Sequence, residues 1–249
     1  MVKQNKFIHT VTVTGADDSI SPFDLVEISK KYPFVEFGIL LSKFSLGSPR
    51  FPSSKWLYDL IYISKFVKDL KLSGHICGKW VQEILLGDWP SEEFKKISYN
   101  FQDIFSRWQI NTHAQSYKVN ENKFIEILKR LNYQKQNIIF QFDEVNDDLL
   151  FTSKRLGFKN ISTLFDVSHG RGILPDKLQT PIFGVSCGYA GGLSPENIHQ
   201  QIEEISKIVG NSKIWVDSET HLRSKDNLKF DLNRVEMFLK EAEPFVYRE

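Results

Sequence analysis

Polar residues stand two apart where apolar runs end: His75 and Cys77, Asn111 and His113, Gln141 and Asp143, Asp217 and Glu219. Alternate residues of a strand share a face, so each pair projects one way while Ile76, Phe142 and Val216 project the other. Asp166 closes a further apolar run, 161–165. Carboxylates, imidazoles and a thiol grouped in this way suit general acid–base work. Each also has a plainer use. A strand-end aspartate caps a helix or makes a turn, His75 can hydrogen-bond within a core, and Cys77 can act as a small apolar residue. Taken together, so many polar groups are costly to bury unless paired or wet, which points to a solvated pocket. His75, His113, Asp143 and Glu219 could also ligate a metal, but no His-x-His or Glu-x-x-His spacing supports one. A Ser-His-Asp nucleophile system is less expected still. The expectation is a site with no metal and no cofactor.

A second chemistry lies in Gly188-Tyr189-Ala190-Gly191-Gly192-Leu193, followed by Ser194-Pro195-Glu196-Asn197. The apolar run 181–185 before it reads as a buried strand. After it, Ile198, Ile202, Ile205 and Val209 recur at helical spacing. Ser194 suits the N-cap and Pro195 the first helical position. A strand, a glycine turn and a helix N-terminus, in that order, present free N–H groups to an anion such as phosphate, with Gly191, Gly192 and Ser194 as contacts. Glycines serve tight turns equally well, so the turn alone leaves both readings open.

Strand-like runs at 7–13, 35–41, 72–77, 108–112, 138–142, 161–165, 181–185 and 213–216 alternate with helical patterns. The first helix is expected to start at Ser21-Pro22 and turn Phe23, Val26 and Ile28 inward. The second is expected to be capped by Ser54 and to carry Phe66, Val67 and Leu70. An extra amphipathic segment covers 94–105, and the loop with Gly170-Arg171-Gly172 leaves little room for a helix before the seventh strand. Eight strand–helix units at a spacing of about 30 residues argue for a parallel sheet with helical crossovers, which fits a closed single-domain (β/α)8 TIM barrel over residues 1–249 better than an open two-lobed sheet, the alternative that periodicity leaves. In that fold, catalytic groups sit where strands run into the following loops.

The chain has 249 residues, a net charge of +1 and 25% charged residues. Near-neutral charge gives no support for nucleic-acid binding. No apolar run reaches the roughly 18 residues of a membrane helix, and the N-terminus lacks the apolar stretch of a signal peptide. The two cysteines, Cys77 and Cys187, form neither a disulfide framework nor a zinc spacing, which fits a reducing cytoplasm. No motif specifies an oligomeric state.

The ordered features resemble phosphoribosylanthranilate isomerase, a (β/α)8 enzyme of tryptophan biosynthesis, and identify the chain as a divergent relative. Ser48-Pro49-Arg50-Phe51 is similar to the family's Ser-Pro-Arg-Tyr loop, whose arginine contacts the anionic substrate. Phe165-Asp166 ahead of Gly170-Arg171-Gly172 resembles the strand-six aspartate that acts as general acid. Gly191-Gly192-Leu193-Ser194-Pro195-Glu196-Asn197 resembles the phosphate loop Gly-Gly-Leu-Asn-Pro-Glu-Asn, and Val216-Asp217-Ser218 the strand-eight ending that helps hold phosphate. Three departures stand out, one being the lining of strands three to five by His75 and Cys77, Asn111 and His113, and Gln141 and Asp143, which the family does not carry. The first strand ends Thr12-Val13-Thr14-Gly15 where the family has Lys-Ile-Cys-Gly, whose cysteine is the general base. A threonine hydroxyl is a far poorer base. The eighth-strand turn reads Glu219-Thr220-His221-Leu222-Arg223 in place of a glycine turn.

The resemblance implies a phosphorylated sugar derivative as substrate and acid–base proton transfer of the aldose–ketose or Amadori type. Asp166 would be the acid. The base would come from Cys77, His75 or Asp143, with Cys77 needing a depressed pKa that His75 could supply. Arg50, Asn111 and His113 would contact the substrate, and Gly191, Gly192, Ser194, Asp217, Ser218 and Glu219 would surround its phosphate. The alternatives are a non-catalytic phosphosugar-binding barrel and a metal-dependent lyase on the same fold. The expected partner is a small phosphorylated molecule, with neither nucleic acid nor membrane.

Overall fold

The computed structural model describes residues 6–88, 92, 94–95, 104–112, 119–142, 147–166, 168 and 171–247. Among them, eight parallel strands close a barrel in chain order. These are β1 (Ile8–Thr14), β2 (Val35–Ser42), β3 (Leu72–Cys77), β4 (Arg107–Ile110), β5 (Asn137–Phe142), β6 (Ile161–Phe165), β7 (Ser186–Tyr189) and β8 (Ile214–Ser218). Around them lie α1 (Pro22–Lys31), α2 (Ser54–Ser64), α3 (Lys79–Leu86), α4 (Glu121–Tyr133), α5 (Asp147–Arg155), α6 (Ile198–Val209) and α7 (Leu232–Ala242). The architecture is the (β/α)8 barrel expected from the alternation of the sequence. No helix among the described residues links β6 to β7, and none is long and apolar enough to cross a membrane.

Local chemistry explains most of these boundaries. Ser21 and Asp24 form a capping box ahead of α1, and the Asp231 carboxylate accepts from the Asn233 and Arg234 N–H groups at the start of α7. Gly87 ends α3 with φ of 86°, the left-handed geometry a C-cap glycine allows. Ile198, Ile202, Ile205 and Val209 of α6 are all buried against the barrel. Each contributes about 1.5–3 kcal/mol of hydrophobic burial.

Several expectations need correction. Strand seven is Ser186–Tyr189, and the apolar run 181–185 is a surface turn in which Phe183 is 93% exposed. The small residues of β7 are what the barrel needs here. A Cβ on Gly188 would lie 2.1 Å from Trp215 Cε2, so only glycine lets the indole fill the interior. Phe23 is exposed on α1. Ser53, not Ser54, caps α2 by accepting from the Trp56 N–H, and the helix stops at Ser64, leaving Phe66 outside it and exposed. The α6 helix starts at Ile198, after a turn, so Pro195 is not its first residue. Most of segment 94–105 lies outside the described residues, although Phe94 and Phe105 pack edge-on against Trp108.

The barrel interior is unusually polar. Among the described residues, Ile139, Leu164 and Trp215 form a small buried apolar cluster inside it. Beneath it, Arg107 of β4 reaches Glu36 of β2 with two hydrogen bonds, Nε to Oε2 at 2.9 Å and Nη2 to Oε1. The guanidinium also lies 4.6 Å from the Trp215 ring centroid, and Nη2 donates to Thr12 Oγ1. This ion pair closes the N-terminal end of the barrel.

Candidate functional site

At the C-terminal ends of the strands lies a cavity of about 50 Å3. Its floor is Thr14, His75, Gln109 and Asp217, all buried. Strand register puts these groups side by side, since His75 pairs with Gln109 and Thr14 with Gly38. Gly38 makes the room. A Cβ there would fall 2.1 Å from Thr14 Oγ1 and 2.8 Å from His75 Cε1.

Burial sets the charge of the floor. It lowers His75 to about 3, with Arg107 beneath adding to the effect, so the imidazole is neutral at pH 7. Its Nε2 has no hydrogen-bond partner, and neither has Gln109 Oε1. The Thr14 hydroxyl donates to Asp217 Oδ1 at 2.8 Å. Burial holds the Asp217 carboxyl well above its usual range despite that bond, and the negative charges of Glu219 and Glu36 add to the shift. The second Asp217 oxygen has no partner among the described residues.

Asn111 and Cys77 form a relay beside this floor. Gln109 Nε2 donates to Asn111 Oδ1 at 2.7 Å, and Asn111 Nδ2 donates to Cys77 Sγ at 3.2 Å. Burial pushes the Cys77 thiol up to about 12, with the Asn111 bond opposing. The depressed thiol expected from His75 is therefore reversed, because a neutral imidazole offers no positive charge and the site excludes water.

Asp166 stands at the end of β6. Its Oδ1 accepts from the Ser168 N–H at 2.8 Å, and its Oδ2 from Gln141 Nε2 at 3.4 Å. Glu219 faces the same cavity. Burial raises its carboxyl, Arg50 opposes the shift, and the charge of Asp166 adds to it. Arg50 does not stand open to an anion. Nη1 donates to Glu219 Oε1 at 2.7 Å and Nη2 to Asn227 Oδ1 at 2.9 Å. Its backbone takes φ of 78°, held there by an N–H bond to Asp17 Oδ2, which Arg223 also grips in a buried ion pair of 2.7 Å.

The glycine turn forms the opposite wall. The backbone N–H groups of Gly191, Gly192 and Leu193 have no hydrogen-bond partner among the described residues. Ser194 is used differently from the expectation. Its N–H donates to Asn197 Oδ1, and its hydroxyl accepts from the Glu196 N–H. Asn197 Nδ2 also bonds Gly192 O, and Ser218 Oγ donates to Leu193 O at 2.6 Å, so both side chains brace the turn. Over it lies the β6–β7 loop. The backbone of Ile173 and Leu174 rests on Gly192, and Gly172 O bonds His221 Nε2 at 2.9 Å.

His75, Asn111, Asp166, Gly191, Gly192, Asp217, Ser218 and Glu219 thus border one cavity, whereas Arg50, Cys77 and Ser194 stand behind its walls. His113, Asp143 and Gly170 lie outside the described residues. Gln109 and His221 escaped the sequence reading. Gln109 could have been found by stepping two residues back from Asn111, and His221 was marked only as part of the divergent eighth-strand turn. Among the described residues, no group of three His, Cys, Asp or Glu side chains is placed to hold a metal ion.

Fold and site together define a (β/α)8 barrel with its polar cavity at the C-terminal face. Similar solved structures agree on that fold. They include Phospho-2-dehydro-3-deoxyheptonate aldolase from Thermotoga maritima, at 11% identity over 96% of this chain and 69% of that one, TM-score 0.54. The YdjI aldolase from Escherichia coli K12 gives 11% identity, 95% and 91% coverage and a TM-score of 0.53. A GH18 chitinase from Pseudoalteromonas aurantia gives 11%, 92% and 100%, and 0.54. No family model matches the chain, and neither does any curated protein. At these identities the likeness is one of fold.

Proposed function

We propose that the protein is an enzyme that moves protons on a phosphorylated sugar derivative, in an aldose–ketose or Amadori-type isomerisation like that of phosphoribosylanthranilate isomerase. The observation that carries this reading is the set of three N–H groups at Gly191, Gly192 and Leu193 that have no partner among the described residues, on the wall of the cavity that Asp166 and Asp217 also border. Unpaired N–H groups in a glycine turn ahead of a helix suit phosphate oxygens.

The acid–base pair is Asp217 and Asp166. Two carboxyls in unlike surroundings divide the roles between them. Asp217 keeps its proton, accepts from Thr14 at Oδ1 and is the donor to the sugar oxygen. Asp166, expected from the resemblance to be the acid, instead accepts the proton from carbon in this reading, oriented by Ser168 and Gln141. In this arrangement, the threonine that replaces the family's cysteine positions the acid instead of serving as a base.

Assays with phosphoribosylanthranilate and with ribose 5-phosphate test the proposal. Asp166→Asn and Asp217→Asn should each lower kcat/KM by about 100-fold or more, the range for one general acid or base. Activity should also fall as pH rises through the raised pKa of Asp217, since the donor then loses its proton. No turnover above the variants on any such substrate would sink the enzyme reading. The second reading, a binding barrel without catalysis, is favoured by the protonated thiol of Cys77 and the hydroxyl of Thr14, neither of which is a base. Stabilisation by phosphosugars without turnover would support it.

A further inference from the structure

The floor of the cavity has a chemistry that phosphate does not explain. His75 Nε2 and Gln109 Oε1 are buried on it without partners, and Asp217 has one free oxygen. A buried polar atom without a partner is costly, so a ligand that satisfies it recovers that cost. No lysine or arginine is among the described residues that border the cavity, whereas three carboxyl side chains are: Asp166, Asp217 and Glu219. Three of the nearby cations are already paired with carboxylates, and a fourth, Arg171 in the loop over the glycine turn, donates to Ser168 O. Arg107 is bound to Glu36 beneath the floor, Arg50 to Glu219 at the rim, and Arg223 to Asp17.

We propose that the end of the ligand remote from its phosphate is uncharged and rich in hydroxyls, so that the site takes the carbon chain of an aldose, ketose or alditol phosphate and discriminates against a second anionic group, which favours ribose 5-phosphate over phosphoribosylanthranilate with its anthranilate carboxylate. Hydroxyls both donate and accept, as His75, Gln109 and Asp217 require. A carboxylate can only accept, and here it would meet three carboxyl groups with no lysine or arginine among the described residues that border the cavity. Burial keeps His75 neutral, in agreement with this selection. The inference rests on the phosphate reading above, because the phosphate sets which end of the chain reaches the floor.

The test compares three probes by calorimetry: inorganic phosphate, ribitol 5-phosphate, and 5-phosphoribonate, which differs from ribitol 5-phosphate only by a carboxylate in place of the terminal CH2OH. Ribitol 5-phosphate should bind at least tenfold more tightly than either of the others. Gln109→Met, which keeps the volume of the side chain, and His75→Ala should each bring its affinity down about tenfold, with inorganic phosphate unchanged. Circular dichroism confirms that each variant is folded. If 5-phosphoribonate binds as tightly as ribitol 5-phosphate, or if neither floor variant separates the sugar from phosphate, the inference is wrong while the phosphate reading stands. If none of the three binds, both fall.

Discussion

His75 shows how a single buried side chain links the site to stability. In the unfolded chain it binds a proton below about 6.5, but in the barrel not until about 3. Between those values the unfolded state holds the extra proton, so the His75 contribution is fully present above 6.5 and is lost as pH falls. A fully titrating group changes stability by about 1.4 kcal/mol per pH unit. His75→Gln should therefore flatten the loss of stability between pH 6 and pH 4 by about that slope, as read from urea unfolding. His9, lowered to about 4 mainly by burial, acts in the same sense and remains in both proteins. Asp217 and Glu219 act in the opposite sense, because the fold keeps their protons at pH values where the unfolded chain has lost them. At this scale the sequence reveals which residues share a face, since the rule of alternation placed His75, Asn111, Asp217 and Glu219 together. It does not reveal their charge. That depends on burial and on Arg107, a residue 32 positions away from His75 in the chain.

The turn from β7 into α6 carries the element-scale argument. Its motif was legible because glycine and asparagine have few other reasons to recur in that order. Its path was not. Asn197 bonds both the Ser194 N–H and Gly192 O, and this bracing delays the helix to Ile198, a competition between side chain and backbone that residue spacing does not encode. Strand seven was misplaced for a related reason. The run 181–185 is apolar and β-like, whereas the true strand is Ser-Cys-Gly-Tyr, chosen for the space that Trp215 occupies. Gly192 has φ of 66°, and a Cβ there would lie 2.4 Å from the Leu174 nitrogen. Gly192→Ala combines backbone strain with that clash. It should cost about 1–3 kcal/mol by thermal unfolding, and phosphate affinity should drop at least tenfold because the loop over the turn is displaced.

On the scale of the whole molecule, the alternation of strands and helices implied parallel strands with crossovers and favoured a barrel, but it also fitted an open two-lobed sheet, and the pairing of β1 with β8 is what closes the ring. The polar filling was only half visible. Glu36 and Arg107 are far apart in sequence, and neither stands at a strand end where chemistry was sought. Yet their pair occupies the N-terminal interior that such barrels usually fill with branched apolar side chains. Arg107→Leu should cost about 3–5 kcal/mol, since it leaves a buried carboxylate unpaired, whereas Arg107→Leu combined with Glu36→Met should recover most of the loss. Urea denaturation of the two variants checks this.

The same ion pair gives the barrel a direction of traffic. With Glu36, Arg107 and Trp215 filling one end, the chamber is a cul-de-sac, and whatever comes in past the glycine turn must leave by that way. The only covering over the turn described here is the backbone of two residues, Ile173 and Leu174, tied through Gly172 to His221. How long a molecule dwells inside is then set at that doorway and not by the depth of the room behind it.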